Sequence, residues 1–216
     1  MLFEFIRKRF TTISGSLLIA VTVCQVFLLP VFPKSWLPLL TAVFFSLIIL
    51  LGILSLERKT RLLFSIALLT VITELLVLPF DNQIVKLISF AFNVIFFQVM
   101  VVLFLTEIAR SRKVNARTIL EAINGYLMLG LMFISWVAIL SLADPGAIRY
   151  TTDETNVADY TYFTFVTMTT LGYGDVLPVS PLARSLTILI STSGQLYIAI
   201  IIAMLVGKYS NRDTAD

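Results

Sequence analysis

The chain has 216 residues, 58% of them hydrophobic and 13% charged, with a mean hydropathy of +0.96. Soluble globular proteins run at about 45–50% apolar and about 25% charged, so the composition excludes an ordinary soluble domain and points to an integral membrane protein. The net charge of +3 and pI near 9.1 would suit a nucleic-acid partner, but the basic residues fall between apolar runs, where a bilayer positions them, and no nucleic acid is expected. The single cysteine, Cys24, lies inside an apolar run and has no intrachain disulfide partner. There is no histidine, which removes the usual near-neutral pH sensor. No Cys/His metal cluster, nucleophilic triad or phosphate-cradling glycine loop is visible, so no cofactor is expected and an enzyme reading has little to stand on.

Met1–Phe10 carries Arg7, Lys8 and Arg9 ahead of an apolar run, the order also found in signal peptides. The run over 12–32 is too long for that, and no small-residue cleavage site follows, so it is predicted as a first span. Pro30, Pro33 and Lys34 mark a turn, with Trp36 as an interfacial anchor. Further spans are predicted over 36–56, 62–80, 84–108 and 118–142, and a sixth from Pro181 to Gly207. Each has roughly the 20 residues needed to cross about 30 Å of hydrocarbon. With a cytoplasmic N-terminus, twelve Lys and Arg fall inside, among them Arg58, Arg110 and Arg117, and four outside: Lys34, Lys86, Arg149 and Arg184. The positive-inside rule then places both termini in the cytoplasm.

Between the last two spans lies Tyr160–Thr170, too short to cross, followed by Leu171-Gly172-Tyr173-Gly174-Asp175. The short stretch suits a re-entrant helix with Asp159 at its outward N-terminus, where a carboxylate favours the free N–H groups and the dipole. Non-helical backbone after it is tolerable at depth only when buried in protein or lining an aqueous path. A strand whose carbonyls all point one way must alternate between right- and left-handed backbone, and the left-handed form is cheap only for glycine. Gly172 and Gly174 fall at alternate positions, and Thr170 can add a hydroxyl oxygen. For Tyr160, Tyr162, Phe163 and Phe165 two readings are open: an aromatic layer behind the loop, or lipid-facing packing.

Thr170-Leu171-Gly172-Tyr173-Gly174-Asp175, with the Thr167-Met168-Thr169-Thr170 approach and Pro178 beyond, resembles the selectivity filter of potassium channels, and residues 118–208 resemble their two-helix pore domain. The implied fold is an all-α membrane protein with six transmembrane helices plus a re-entrant pore helix and filter loop. The implied function is passive potassium transport by a channel subunit in the cell membrane. Carried over residue by residue, K+ as permeant ion would meet Thr170, Leu171, Gly172, Tyr173 and Gly174. Asp175, Tyr162, Phe163 and Thr169 would support the filter, and Gly194 would be a hinge. Leu171 replaces the commoner Val or Ile without altering the carbonyl. Val166 stands where some bacterial members carry a Glu that pairs with the filter aspartate. Tyr173 argues against the non-selective relative, which carries Asp there. One such loop cannot surround an ion, so a homotetramer in membrane lipid is expected. The alternatives are a regulatory or silent subunit and a potassium-transporter component.

On the last span, Ala199, Ala203 and Gly207 form a small-residue stripe. Ile198, Ile202 and Val206 beside it form either an apolar inner gate that closes by dewetting or plain lipid-facing packing. Gln195 either faces the central cavity or pairs with a neighbouring helix. Residues 1–112 resemble a voltage-sensor-like four-helix domain, with the pore domain at 113–216. The fourth span, however, carries only Lys86, at its outer end. Each gating charge contributes only about 2.3 kcal/mol per 100 mV, so strong voltage dependence is not expected. Glu74, a carboxylate inside the third span, is either hydrogen-bonded to Asn93 or Gln98 on the next helix or a proton or ligand sensor. Only eight residues follow Lys208, too few for a regulatory domain there.

Overall fold

The computed structural model describes residues 2–33, 35–56, 61–80, 82–111, 114–151 and 155–210, with 2–10, 30 and 209–210 described by backbone alone. Lys34, Arg58, Lys59, Arg112, Lys113 and Arg212, which carry part of the charge asymmetry, and the expected domain boundary at 112/113 lie outside the described residues.

Seven α-helices occur among the described residues: α1 Leu2–Val23, α2 Leu37–Ser55, α3 Arg61–Leu76, α4 Gln83–Arg110, α5 Ala116–Ala143, α6 Val157–Met168 and α7 Pro181–Ser210. The only strands described are β1 Ile148–Arg149 and β2 Leu177–Pro178, two residues each. Helix α1 runs on through a wide π turn at Cys24–Leu28 and a 3-10 turn at Leu29–Val31. Pro30 stands at the start of the 3-10 turn and explains the change of pitch, because proline has no backbone N–H to donate to the helix ladder.

Five stretches are long and apolar enough to cross a membrane: Thr11–Leu28, Leu37–Ser55, Gln83–Arg110, Ala116–Ala143 and Pro181–Lys208. The chain is therefore an all-helical, multi-pass membrane protein. The third expected span is shorter than its hydropathy suggests. Helix α3 stops at Leu76 after 16 residues, and Val77, Leu78 and Pro79 form a turn. Proline pushes the residue before it out of helical conformation, and 16 residues rise only about 24 Å.

Helices α4 and α5 form the most extensive packed pair, antiparallel and joined by residues 111–115. Both are capped by asparagine. Asn82 Oδ1 accepts from Ile84 N at 2.8 Å, and Asn115 Oδ1 from Thr118 N at 3.0 Å, as expected for a short side-chain acceptor at a helix start. The core between α2 and α4 is aromatic, with Phe45, Phe96, Phe97 and Phe104 fully buried and the Phe45–Phe97 and Phe96–Phe97 ring centroids 5.8 and 5.5 Å apart. In lipid such packing, rather than escape from water, holds helices together.

Candidate functional site: the loop after α6

Helix α6 has 12 residues and so spans about 18 Å, a little over half the depth of a hydrocarbon core of about 30 Å. It begins three residues before Tyr160, and its cap is Asn156 rather than Asp159. Asn156 Oδ1 accepts from Ala158 N at 2.8 Å, while Asp159 Oδ2 accepts from Asn156 N at 2.9 Å. This reciprocal capping box satisfies two of the free donors at the helix start. Asp159 keeps its favourable place in the first turn, but as the box partner.

Three of the four aromatic residues on α6 face the protein. Tyr160 and Phe163 are buried, and Phe165 is half-buried against Gly130 of α5, where a Cβ would lie 2.5 Å from the Phe165 ring. Tyr162 points outward and donates its hydroxyl to Asp175 Oδ2 at 2.6 Å. That bond holds the Asp175 carboxyl below the usual carboxylate range and pushes the Tyr162 hydroxyl up to about 12. Among the described residues, Tyr162 is the α6 aromatic that reaches the loop by a hydrogen bond.

The loop backbone carries the alternation that its composition predicts. Gly172 and Gly174 have φ of 55° and 81°, and Thr170 has 60°. Thr170 is the residue the sequence does not announce, since a β-branched side chain at positive φ costs about 1–2 kcal/mol. The N–H groups turn back toward the end of α6: Thr170 N to Thr167 O at 3.0 Å, Leu171 N to Val166 O at 2.9 Å and Gly172 N to Val166 O at 3.4 Å. Thr169 folds back in the same way, its Oγ1 donating to Phe165 O at 2.7 Å. Among the described residues, no hydrogen bond ends on the carbonyls of Thr170, Leu171, Gly172 or Tyr173. With these donors turned inward, the carbonyls of Thr170 to Tyr173 stay free to accept. The far end of the loop is held where β2 pairs with β1, Ile148 opposite Pro178, with Val179 N donating to Ala147 O at 2.8 Å.

Helix α7 crosses the end of α6 at Gly194, where a Cβ would lie 2.5 Å from both Cγ and the carbonyl oxygen of Met168. The helix is continuous through this point, and the immediate work of Gly194 is to allow that approach. Beside it, Gln195 Nε2 donates to Met168 O at 3.3 Å, so Gln195 pairs with a neighbouring helix. Ile190, Gly194, Tyr197 and Ile201 form the buried face of α7, and Tyr197 donates to Ala122 O of α5 at 2.8 Å. Ile198, Ile202, Ala203 and Val206 are exposed on this chain, away from its own helices.

Residues 126–211 match an ion-channel family model. The match takes in most of α5, all of α6, the loop and α7, and it supports an ion channel. No curated protein and no solved structure matches the chain.

At the other end of α7 the structure shows contacts that the sequence reading missed. Lys208 Nζ donates to the carbonyls of Ile108 and of Ala109, the latter at 3.1 Å, and so caps the C-terminus of α4. Arg117, counted from sequence among the inside basic residues, is half-buried. It bonds Glu121 at 2.7 Å, Glu107 at 3.4 Å and Thr11 at 3.3 Å, joining α1, α4 and α5. The available signal was the recurrence of Glu107, Arg117 and Glu121 at one depth of adjoining helices. Glu74 is buried, and its Oε2 accepts from Ser89 Oγ at 2.7 Å and Asn93 Nδ2 at 3.0 Å. Gln98 is exposed and takes no part.

Proposed function

We propose that the chain is the subunit of a potassium-selective passive channel, a homotetramer whose ion path is lined by the carbonyls of Thr170, Leu171, Gly172 and Tyr173. One observation carries the reading. Four successive carbonyls without internal partners sit on a strand of alternating handedness, directly after a half-length capped helix. A ring of four such strands supplies the oxygens that replace a cation's hydration shell, and closed four-fold symmetry is the simplest way to bring them together. Asp175 and Tyr162 brace the outer end, Phe163 and Thr169 support the loop from behind, and Gly194 serves as a hinge once its contact with Met168 loosens. Ile198, Ile202, Ala203 and Val206 line the inner end of the path. Six spans, the short α3 included, set the channel in the cell membrane with both termini cytoplasmic, and the fourth lacks the charge for steep voltage dependence.

The test is uptake of a potassium tracer into proteoliposomes holding this chain alone. Uptake that competes with potassium and not with sodium is expected. No uptake from a correctly folded tetramer would contradict the proposal.

A further inference from the structure

A cavity of about 310 Å³ lies between α2, α3, α4, the end of α5 and the first turn of α6. Leu37, Pro38, Ala42, Val77, Phe90, Leu142 and Val157 give it mostly apolar walls, and Thr41, Glu74, Lys86, Ser89, Asn156 and Tyr160 add a few polar groups. That mixture and size are those of small-molecule pockets, which run from about 300 to 1,000 Å³.

Its chemistry centres on Glu74, only 6% exposed. Both donors, Ser89 and Asn93, go to Oε2. Oε1 accepts nothing from the described residues, and no Lys or Arg among them forms an ion pair with this carboxylate. A second polar group, Thr41, is 6% exposed, lines the same cavity and has a buried Oγ1 without a hydrogen-bond partner. A buried carboxylate without an ion pair is costly, and an unsatisfied buried oxygen on the same cavity wall adds to the cost. Phe90 and Tyr160 line the same cavity, and aromatic rings attract a cation at their faces.

We infer that this cavity binds a small monocationic amphiphile, an alkyl- or arylalkylammonium. Its nitrogen bonds Glu74 Oε1, and its apolar body fills the space against Leu37, Ala42, Phe90 and Leu142. The same features exclude other classes. An anion or a phospholipid headgroup would meet the Glu74 carboxylate, and Lys86, which lines the cavity near Tyr160, leaves room for one positive charge only at the Glu74 end. Because Asn156, Val157 and Tyr160 belong to the cap and first turn of α6, an occupant touches the helix that leads into the Thr170–Gly174 loop.

Binding is measured without flux, so it succeeds or fails independently of the channel proposal. The full chain in nanodiscs is titrated with naphthylethylammonium and with its neutral isostere naphthylethanol, followed by naphthalene fluorescence against empty discs. The amine should bind saturably and at least about tenfold tighter than the alcohol, the scale of a charge-assisted hydrogen bond. Glu74→Gln should bring the amine to the level of the alcohol, and Ala42→Phe, which fills the cavity, should weaken both. Equal binding of amine and alcohol, binding that survives Glu74→Gln, or no saturable signal above empty discs would each overturn the inference. The comparison of the two probes on the unmodified chain decides the matter even where a variant does not fold.

Discussion

Gly194→Ala places a methyl group where α7 crosses the end of α6. The new Cβ would lie 2.5 Å from Met168 Cγ and 2.5 Å from Met168 O, about 0.9 Å inside an ordinary contact. The side chain can rotate away, but the carbonyl belongs to the backbone and also accepts from Gln195 at 3.3 Å. The two helices must therefore part by about 1 Å, a gap that forfeits roughly a quarter to a half of each dispersion contact along the seam. Overpacking of this kind costs about 1–3 kcal/mol. Since Met168 is the last residue of α6, the displacement is passed to the loop. Gly207→Ala on the same helix is the control. Its Cβ would meet nothing within 4 Å, and alanine is favoured over glycine in a helix by about 0.8–1 kcal/mol. Thermal unfolding of the two purified variants should show Gly194→Ala destabilised and Gly207→Ala unchanged or slightly stabilised. Equal stability of the two would refute the close-approach argument. A loss of flux in Gly194→Ala with full stability would leave the hinge role standing without the close approach.

Gly130→Ala should destabilise the protein for a related reason, and Phe165→Leu in the same chain should recover most of the loss by vacating the space the ring fills; a double variant no better than the single one would sink the pairing. The Tyr162–Asp175 bond carries a defined pH signature. Asp175 has a depressed pKa, so its contribution is present above about pH 4 and is lost as the pH falls through the lowered value. Tyr162 has a raised pKa, so its contribution is present below about pH 10 and is lost as the pH rises through about 12. In an alkaline titration followed by tyrosinate absorbance, Asp175→Asn should bring one tyrosine down toward its ordinary value, and an unchanged curve would show that the bond is not made in solution. Ile202→Asp should raise resting flux by wetting an apolar constriction, whereas unchanged flux would leave Ile202 facing lipid.

The apolar runs and their basic borders made the membrane helices legible, because hydrocarbon thickness and interfacial charge leave few alternatives. The loop was legible for a similar reason: Gly172 and Gly174 stand where their φ values of 55° and 81° demand glycine. What the sequence did not carry was tertiary. Thr170 adopts positive φ because the end of α6 holds its N–H, a constraint that no propensity encodes. Asn156 takes the cap from Asp159 because the helix starts earlier than the apolar pattern does. Gly194 looks like a flexible point in a sequence and proves to be a contact point once Met168 lies beside it. Lys208 and Arg117 read as interfacial charges, and only the folding of α4 against α5 and α7 gives them the carbonyls and carboxylates they bond.

The reversal potential across a bilayer holding the purified chain, with potassium on one side and sodium on the other, tests the central claim most directly. Carbonyls fixed on the Thr170–Tyr173 strand predict a reversal potential that follows the potassium gradient and ignores sodium. A value near zero, with the two ions passing equally, would contradict the account.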